Sequence, residues 1–219
     1  MIEWDEYEAT IRFEDRLIGG IPVMPAGSDP QAYEGWLRGQ KVENDPSFEK
    51  GLAEVLAADS EMPVAVAEDA PTEQGFRRGK DGLYVEARQV KAAIKEGSQR
   101  LGLLKSVRGM RQVIQHDIHV RALDGTQRLY LARAEPDGKD ARPISVLTPQ
   151  GPRQSIKRFE YVNQPEIRFV VRVLKGGIGE GMMTEDLLRD VLELCGSLGL
   201  GADRSQGEGT FVLEELKRI

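Results

Sequence analysis

The sequence is poor in the residues that staple, ligate or anchor a protein. Cys195 is its one cysteine in 219 residues, so the chain closes no internal disulfide and builds no zinc site from thiolates. It has two histidines, His116 and His119, too few for a histidine-based metal cluster, and no metal or cofactor is expected. No run of about 18 apolar residues is present, which excludes a membrane-spanning helix. The opening stretch MIEWDEYEATIRFEDR is acidic and alternating, unlike the basic start and apolar centre of a signal peptide. There is also no excess of positive charge: the formal net charge is −6, which argues against broad, non-specific binding to nucleic acid. What remains, 40% hydrophobic and 30% charged residues, is the composition of a soluble globular protein, and a reducing, cytoplasmic setting is expected.

The charge is unevenly spread. Acidic side chains far outnumber basic ones over residues 1–75, and the balance inverts over 76–112. Sign asymmetry of this kind leaves room for a local basic face inside an acidic chain.

Read along its length, the chain alternates extended and helical signals. Tyr7, Ala9, Ile11 and Phe13 alternate with polar residues and predict a strand. Asp-Pro pairs at 29–30 and 45–46 read as a helix cap followed by a first helical residue, predicting two short helices between 29 and 58. Val90, Ala93, Ile94 and Leu101 fall at helical spacing. QVIQHDIHVRAL, QRLYLARA, RPISVLT, QSIKRFEYV and EIRFVVRVL follow as extended candidates. TEDLLRDVLELCGSLG is a helix capped by Thr184 with acids in its first turn, and GTFVLEEL closes the chain as a strand. Taking 7–14, 87–101, 113–123, 166–174, 184–198 and 209–216 as six elements gives a single α+β domain with a ferredoxin-like β-α-β-β-α-β core and an antiparallel sheet. An insertion over about 19–81 and a hairpin extension over about 124–164 complete it.

The loop CGSLGLGADRSQGEGTF, between the last helix and the last strand, is the densest motif. Phosphate-binding glycine loops usually run from a strand into a helix, and this one runs the other way and lacks a GK[ST] ending. Gly199 stands where a helix C-cap is expected. Glycines also let backbone N–H groups approach a phosphate and form an anion nest, to which Arg204 would add a bidentate contact and Ser205 a hydroxyl.

GLGADRSQGEGTF resembles the C-terminal glycine-rich loop of the RAMP superfamily, the ferredoxin-like RNA-binding proteins of CRISPR systems. Gly199, Gly201, Arg204, Ser205, Gly207, Gly209 and Phe211 match its form position by position. GLYVEARQVKAAIKEG is similar, more loosely, to the segment with which those proteins enter their first long helix, with Lys91 at a basic position. The resemblance implies binding of single-stranded RNA or DNA within an assembly of protein subunits, encoded by a CRISPR-like system, a phage or a mobile element.

Three other segments bear on function. Lys91, Lys95, Arg100, Lys105, Arg108 and Arg111 recur beside small residues and would line a groove, with Tyr84 as a stacking surface. LKGGIGEGMM has the strand–glycine–helix order of a phosphate loop without its spacing, and reads as a loop before the helix capped by Thr184. If 113–123 is a strand, His116 and His119 point to opposite faces and share no site. The reading is therefore a non-catalytic, RAMP-like nucleic-acid-binding protein. Its rivals are a phage structural or assembly protein, and a RAMP-type endoribonuclease using His116 or His119.

Overall fold

A computed structural model of the chain describes residues 3–22, 73–148, 151–176 and 181–219. The helices predicted between 29 and 58, and residues 177–180 of LKGGIGEGMM, lie outside the described residues. The first half of the described chain contains β1 (Trp4–Phe13), β2 (Arg16–Ile18), β3 (Ile21–Pro22), β4 (Glu73–Gly75), β5 (Arg77–Gly79), β6 (Gly82–Glu86), α1 (Ala87–Arg100) and β7 (Ile118–Arg121). The second half contains β8 (Arg128–Tyr130), β9 (Gly138–Thr148), β10 (Gly151–Asn163), β11 (Glu166–Leu174), α2 (Glu185–Leu198) and β12 (Phe211–Arg218). The architecture is mixed α and β, with its strands mainly antiparallel. Among the described residues no helix is long and apolar enough to cross a membrane.

The chain forms two compact units. One comprises residues 1–20, 76–139 and 160–219, the other residues 21–75 and 140–159. In the first, four strands make an antiparallel sheet in the order β12-β1-β11-β7. The alternation read from the sequence sets its inner face: Tyr7, Ala9, Ile11 and Phe13 of β1 and Ile167, Phe169, Val171 and Val173 of β11 are all buried. Helices α1 and α2 complete this core with Val90, Ala93 and Ile94 from one and Leu188, Val191, Leu192 and Cys195 from the other.

The two helices meet where side chains are smallest. A Cβ added to Gly97 would lie 2.8 Å from Cys195 Sγ, so only glycine allows this approach. The Cys195 thiol donates to the Ala93 carbonyl at 3.1 Å, and burial pushes its pKa to about 12, which leaves it unreactive at neutral pH. Thr184 caps α2 as its sequence predicts, its Oγ1 accepting from the Leu187 N–H at 3.2 Å, with Glu185 and Asp186 near the positive end of the helix dipole.

One predicted element is different. Residues 113–117 are a π-helical turn, and the strand starts only at Ile118. The period-two pattern starts late: Val113 and Ile114 are adjacent and both buried by this turn, whereas Ile118 and Val120 alternate with exposed or half-buried residues as a strand. Two short helices, Leu103–Ser106 and Met110–Gln112, lead from α1 into this turn, each preceded by a glycine with positive φ.

A small sheet, β5-β6-β8, belongs to the same unit. Leu83, Val85 and Leu129 are buried on one side, and Arg77, Tyr84 and Tyr130 stand in register on the other. Residues 161–163 of β10 pair with β2. In the second unit, residues 158–159 of β10 run parallel to β4, which pairs with β3, and β9 pairs with β10.

Candidate nucleic-acid interface

The glycine loop is packed against its own unit. Gly199 has φ 79° and ψ 164°, a region open almost only to glycine, so it ends α2 without the left-handed cap expected of it. A Cβ there would lie 2.7 Å from the Glu208 carbonyl oxygen, one on Gly201 equally close to that of Ile18, and one on Gly209 far inside contact with that of Leu200. These three glycines admit neighbouring protein backbone. Gly207, with φ 83°, has open space around its Cα.

The backbone donors follow the same pattern. The N–H groups of Gly199, Leu200, Ala202, Gln206, Gly207 and Gly209 bond to the carbonyls of Cys195, Gly209, Ile18, Asp203, Arg204 and Arg16, at 2.8–3.2 Å. Donors so engaged are not aimed outward as an anion nest requires. Glu208 is buried, and both its carboxylate oxygens accept from Arg16 at 2.9 Å. Arg204 reaches across to α1, where its Nη1 donates to Glu96 Oε2 at 2.7 Å. That pair is more than a third exposed on both sides, so water screens it and an incoming anion can compete for the arginine. Ser205 stands exposed beside it on a short 3₁₀ turn.

The basic segment is in the opposite condition. Lys95, Arg100, Lys105, Arg108 and Arg111 are all exposed, and none forms an ion pair among the described residues. Lys91 is half-buried and its Nζ donates to the Gln115 carbonyl at 3.0 Å; burial lowers its pKa. On α1, Arg88, Lys91 and Lys95 follow an i, i+3, i+7 stripe along one face, while Arg100 lies on another. The remaining cations sit on the turns and short helices over 101–112, at the exit of that helix.

On the four-stranded sheet cations end on carboxylates. On the sheet face turned away from the helices, Arg168 meets Glu8 at 2.5 Å, and Arg172 and Arg121 share Glu6 at 2.8 and 2.9 Å. Lys217 reaches Glu8 at 3.4 Å. Hydrogen bonding from Arg168 is the main reason the Glu8 carboxyl is held below its ordinary range.

His116 lies on the π-helical turn and His119 on β7, so they do not share a strand. The His119 Nε2–H donates to the His116 carbonyl at 3.0 Å, which fixes the proton on that nitrogen, and its ring meets Trp4 edge-on at 5.2 Å. Neither histidine pairs with a carboxylate, and no cluster of three or more metal-ligating side chains occurs, among the described residues.

Tyr84 is half-buried on β6, with the Arg128 guanidinium 5.4 Å from its ring centre and Tyr130 tilted beside it at 5.6 Å. Arg128 and Tyr130 escaped the sequence reading because only strand pairing brings them to Tyr84. The partner of Arg204, Glu96, was equally hidden, since 108 residues separate the two.

No protein-family model and no curated protein matches the chain. Among solved structures, it is similar to a chain in the cryo-EM structure of the Type III-B Cmr-beta bound to cognate target RNA. The identity is 12% and the TM-score 0.49, covering 99% of this chain and 61% of the other. The chain therefore spans less than two thirds of the length of that neighbour.

Proposed function

We propose that this chain is a RAMP-like protein with a ferredoxin-like core that binds single-stranded nucleic acid, RNA foremost, without cutting it. The fold part of this reading is supported by the sheet order: the last, first, third and second strands of the β-α-β-β-α-β run lie side by side. The binding part rests on one observation. Lys95, Arg100, Lys105, Arg108 and Arg111 form an exposed cationic segment with no counter-charge among the described residues, in a chain whose net charge is negative. Uncompensated cations attract phosphates and release condensed counterions, which is the sequence-independent part of nucleic-acid affinity. The glycine loop serves as a second, weaker contact, in which Arg204 exchanges Glu96 for a phosphate and Ser205 adds a hydroxyl beside it. The setting is a CRISPR-like or phage-encoded assembly, and the acidic excess over residues 1–75 suits contacts with neighbouring subunits.

The test is a salt titration on single-stranded RNA. Replacing Lys95, Arg100, Lys105, Arg108 and Arg111 by glutamine should flatten the slope of log K against log salt by roughly 3.5 units if all five engage. An unchanged slope, in a variant that melts like the parent, would overturn the assignment.

A further inference from the structure

We infer that Tyr84 and Arg128, on the outer side of the β5-β6-β8 sheet, form a stacking platform for a nucleobase of the bound strand. This rests on the nucleic-acid reading above and gives it a second kind of contact, to bases instead of phosphates.

Three observations carry it. The first is composition. Arg77, Tyr84 and Tyr130 stand in register across three neighbouring strands, so a charged group and two aromatic rings share one sheet side. The opposite side is filled by Leu83, Val85 and Leu129, which are buried. The Tyr84 ring itself is half-buried.

The second is the state of Arg128. It is exposed, has no carboxylate partner among the described residues, and lies 5.4 Å from the Tyr84 ring centre. An arginine held over an aromatic face, without a salt bridge to fix it, presents a second flat cationic surface on which a base can stack. Arg77 and Arg88 differ, because both pair with Glu86 and have their charge offset there.

The third is continuity. Strand β6 runs directly into α1, and the Ala87 N–H donates to the Gln127 carbonyl at 2.9 Å, tying the start of the helix to the residue before Arg128. From Arg88 the basic stripe continues through the half-buried Lys91 to Lys95, about 10 Å along the helix at 1.5 Å per residue. The platform thus stands at one end of the path whose other end is the exposed cationic segment. Stacking of this kind is tolerant of sequence, since every base has a flat face.

The experiment compares two single strands of equal length, one bearing uracils and one abasic throughout, by fluorescence anisotropy at fixed salt. The parent should bind the base-bearing strand more tightly. Tyr84→Leu should weaken binding of that strand roughly five- to hundred-fold while leaving the abasic affinity and the salt slope unchanged. Tyr84→Phe, which keeps the ring, should retain the preference. Arg128→Gln, which removes the guanidinium held beside Tyr84, should reduce the preference for the base-bearing strand as well as overall affinity. Salt-dependent binding that does not distinguish the two strands, or a Tyr84→Leu loss equal on both, would overturn the platform and leave the phosphate reading standing. Binding of neither strand by the parent would overturn both.

Discussion

Two regions invite comparison, the glycine loop over 199–209 and the basic segment over 95–111. The loop carries the specific motif and the segment only a charge run. In the folded chain the loop's glycines admit backbone, six of its N–H donors are bonded internally, and Arg204 is paired with Glu96. The segment's five exposed cations are paired with nothing described. A motif records which residue types are compatible with close approach. Whether a phosphate or a neighbouring strand does the approaching depends on what the rest of the chain places there.

The largest effect that divides the two regions is on folding. Gly209 has φ 75°, and any Cβ there overlaps the Leu200 carbonyl. Gly209→Val should cost about 3 kcal/mol or more, a drop in Tm on the order of 10 °C. Gly207→Ala in the same loop meets no neighbour and should cost only about 1 kcal/mol, the price of a positive φ. Arg108→Gln in the basic segment should leave Tm within about 1 °C. Thermal melts of the three variants would show it, and a tolerant Gly209 would return the loop to the role of an open anion site.

Next in size is the competition for Arg204. Glu96→Gln removes its counter-charge without changing side-chain shape, and should tighten RNA binding by about two- to five-fold at low salt, an effect that fades as salt screens the site. Arg204→Ala in the parent should weaken binding by only about two- to three-fold, because its charge is already partly neutralised. An Arg204→Ala loss larger than that of the five cations together would reverse the ranking of the two regions.

The framework of the first unit was legible because its signals are local. Alternation in β1 and β11, the helical spacing in α1 and the Thr184 cap each depend on residues within a few positions of one another. Residues 113–117 misled because QVIQHDIHV alternates only from Ile118 onward, while the adjacent Val113 and Ile114 before it are buried by a turn of helix. The site was less legible, because its state is set by distant pairs. Glu96 with Arg204, Arg16 with Glu208 and Arg128 with Tyr84 are separated by 44 to 192 residues, and no spacing in the sequence encodes them. Composition marked the basic segment as a departure from an acidic chain, but could not tell a compensated arginine from one with no described partner.

The smallest predicted effect concerns the compensated half of that distinction. On the outer face of the four-stranded sheet, Glu8 accepts from Arg168 and is approached by Lys217, and these contacts, with the Arg168 hydrogen bond first, hold its carboxyl below the ordinary value of 4.5. A carboxylate whose folded pKa is lowered stabilises the fold above its unfolded pKa, and that contribution disappears as pH falls through the lower folded value. Glu8→Gln should therefore be less stable than the parent at pH 7, and the gap should close as pH drops from 4.5 downward. Arg168 and Lys217 are about half exposed, so the gap will be small and should shrink with added salt. Urea midpoints for parent and variant at pH 7, 4.5 and 3 measure it directly. If the gap stays constant across that range, the Glu8 charge contributes nothing, and the pairing of cations on this face reflects crowding of charges instead of stabilisation by them.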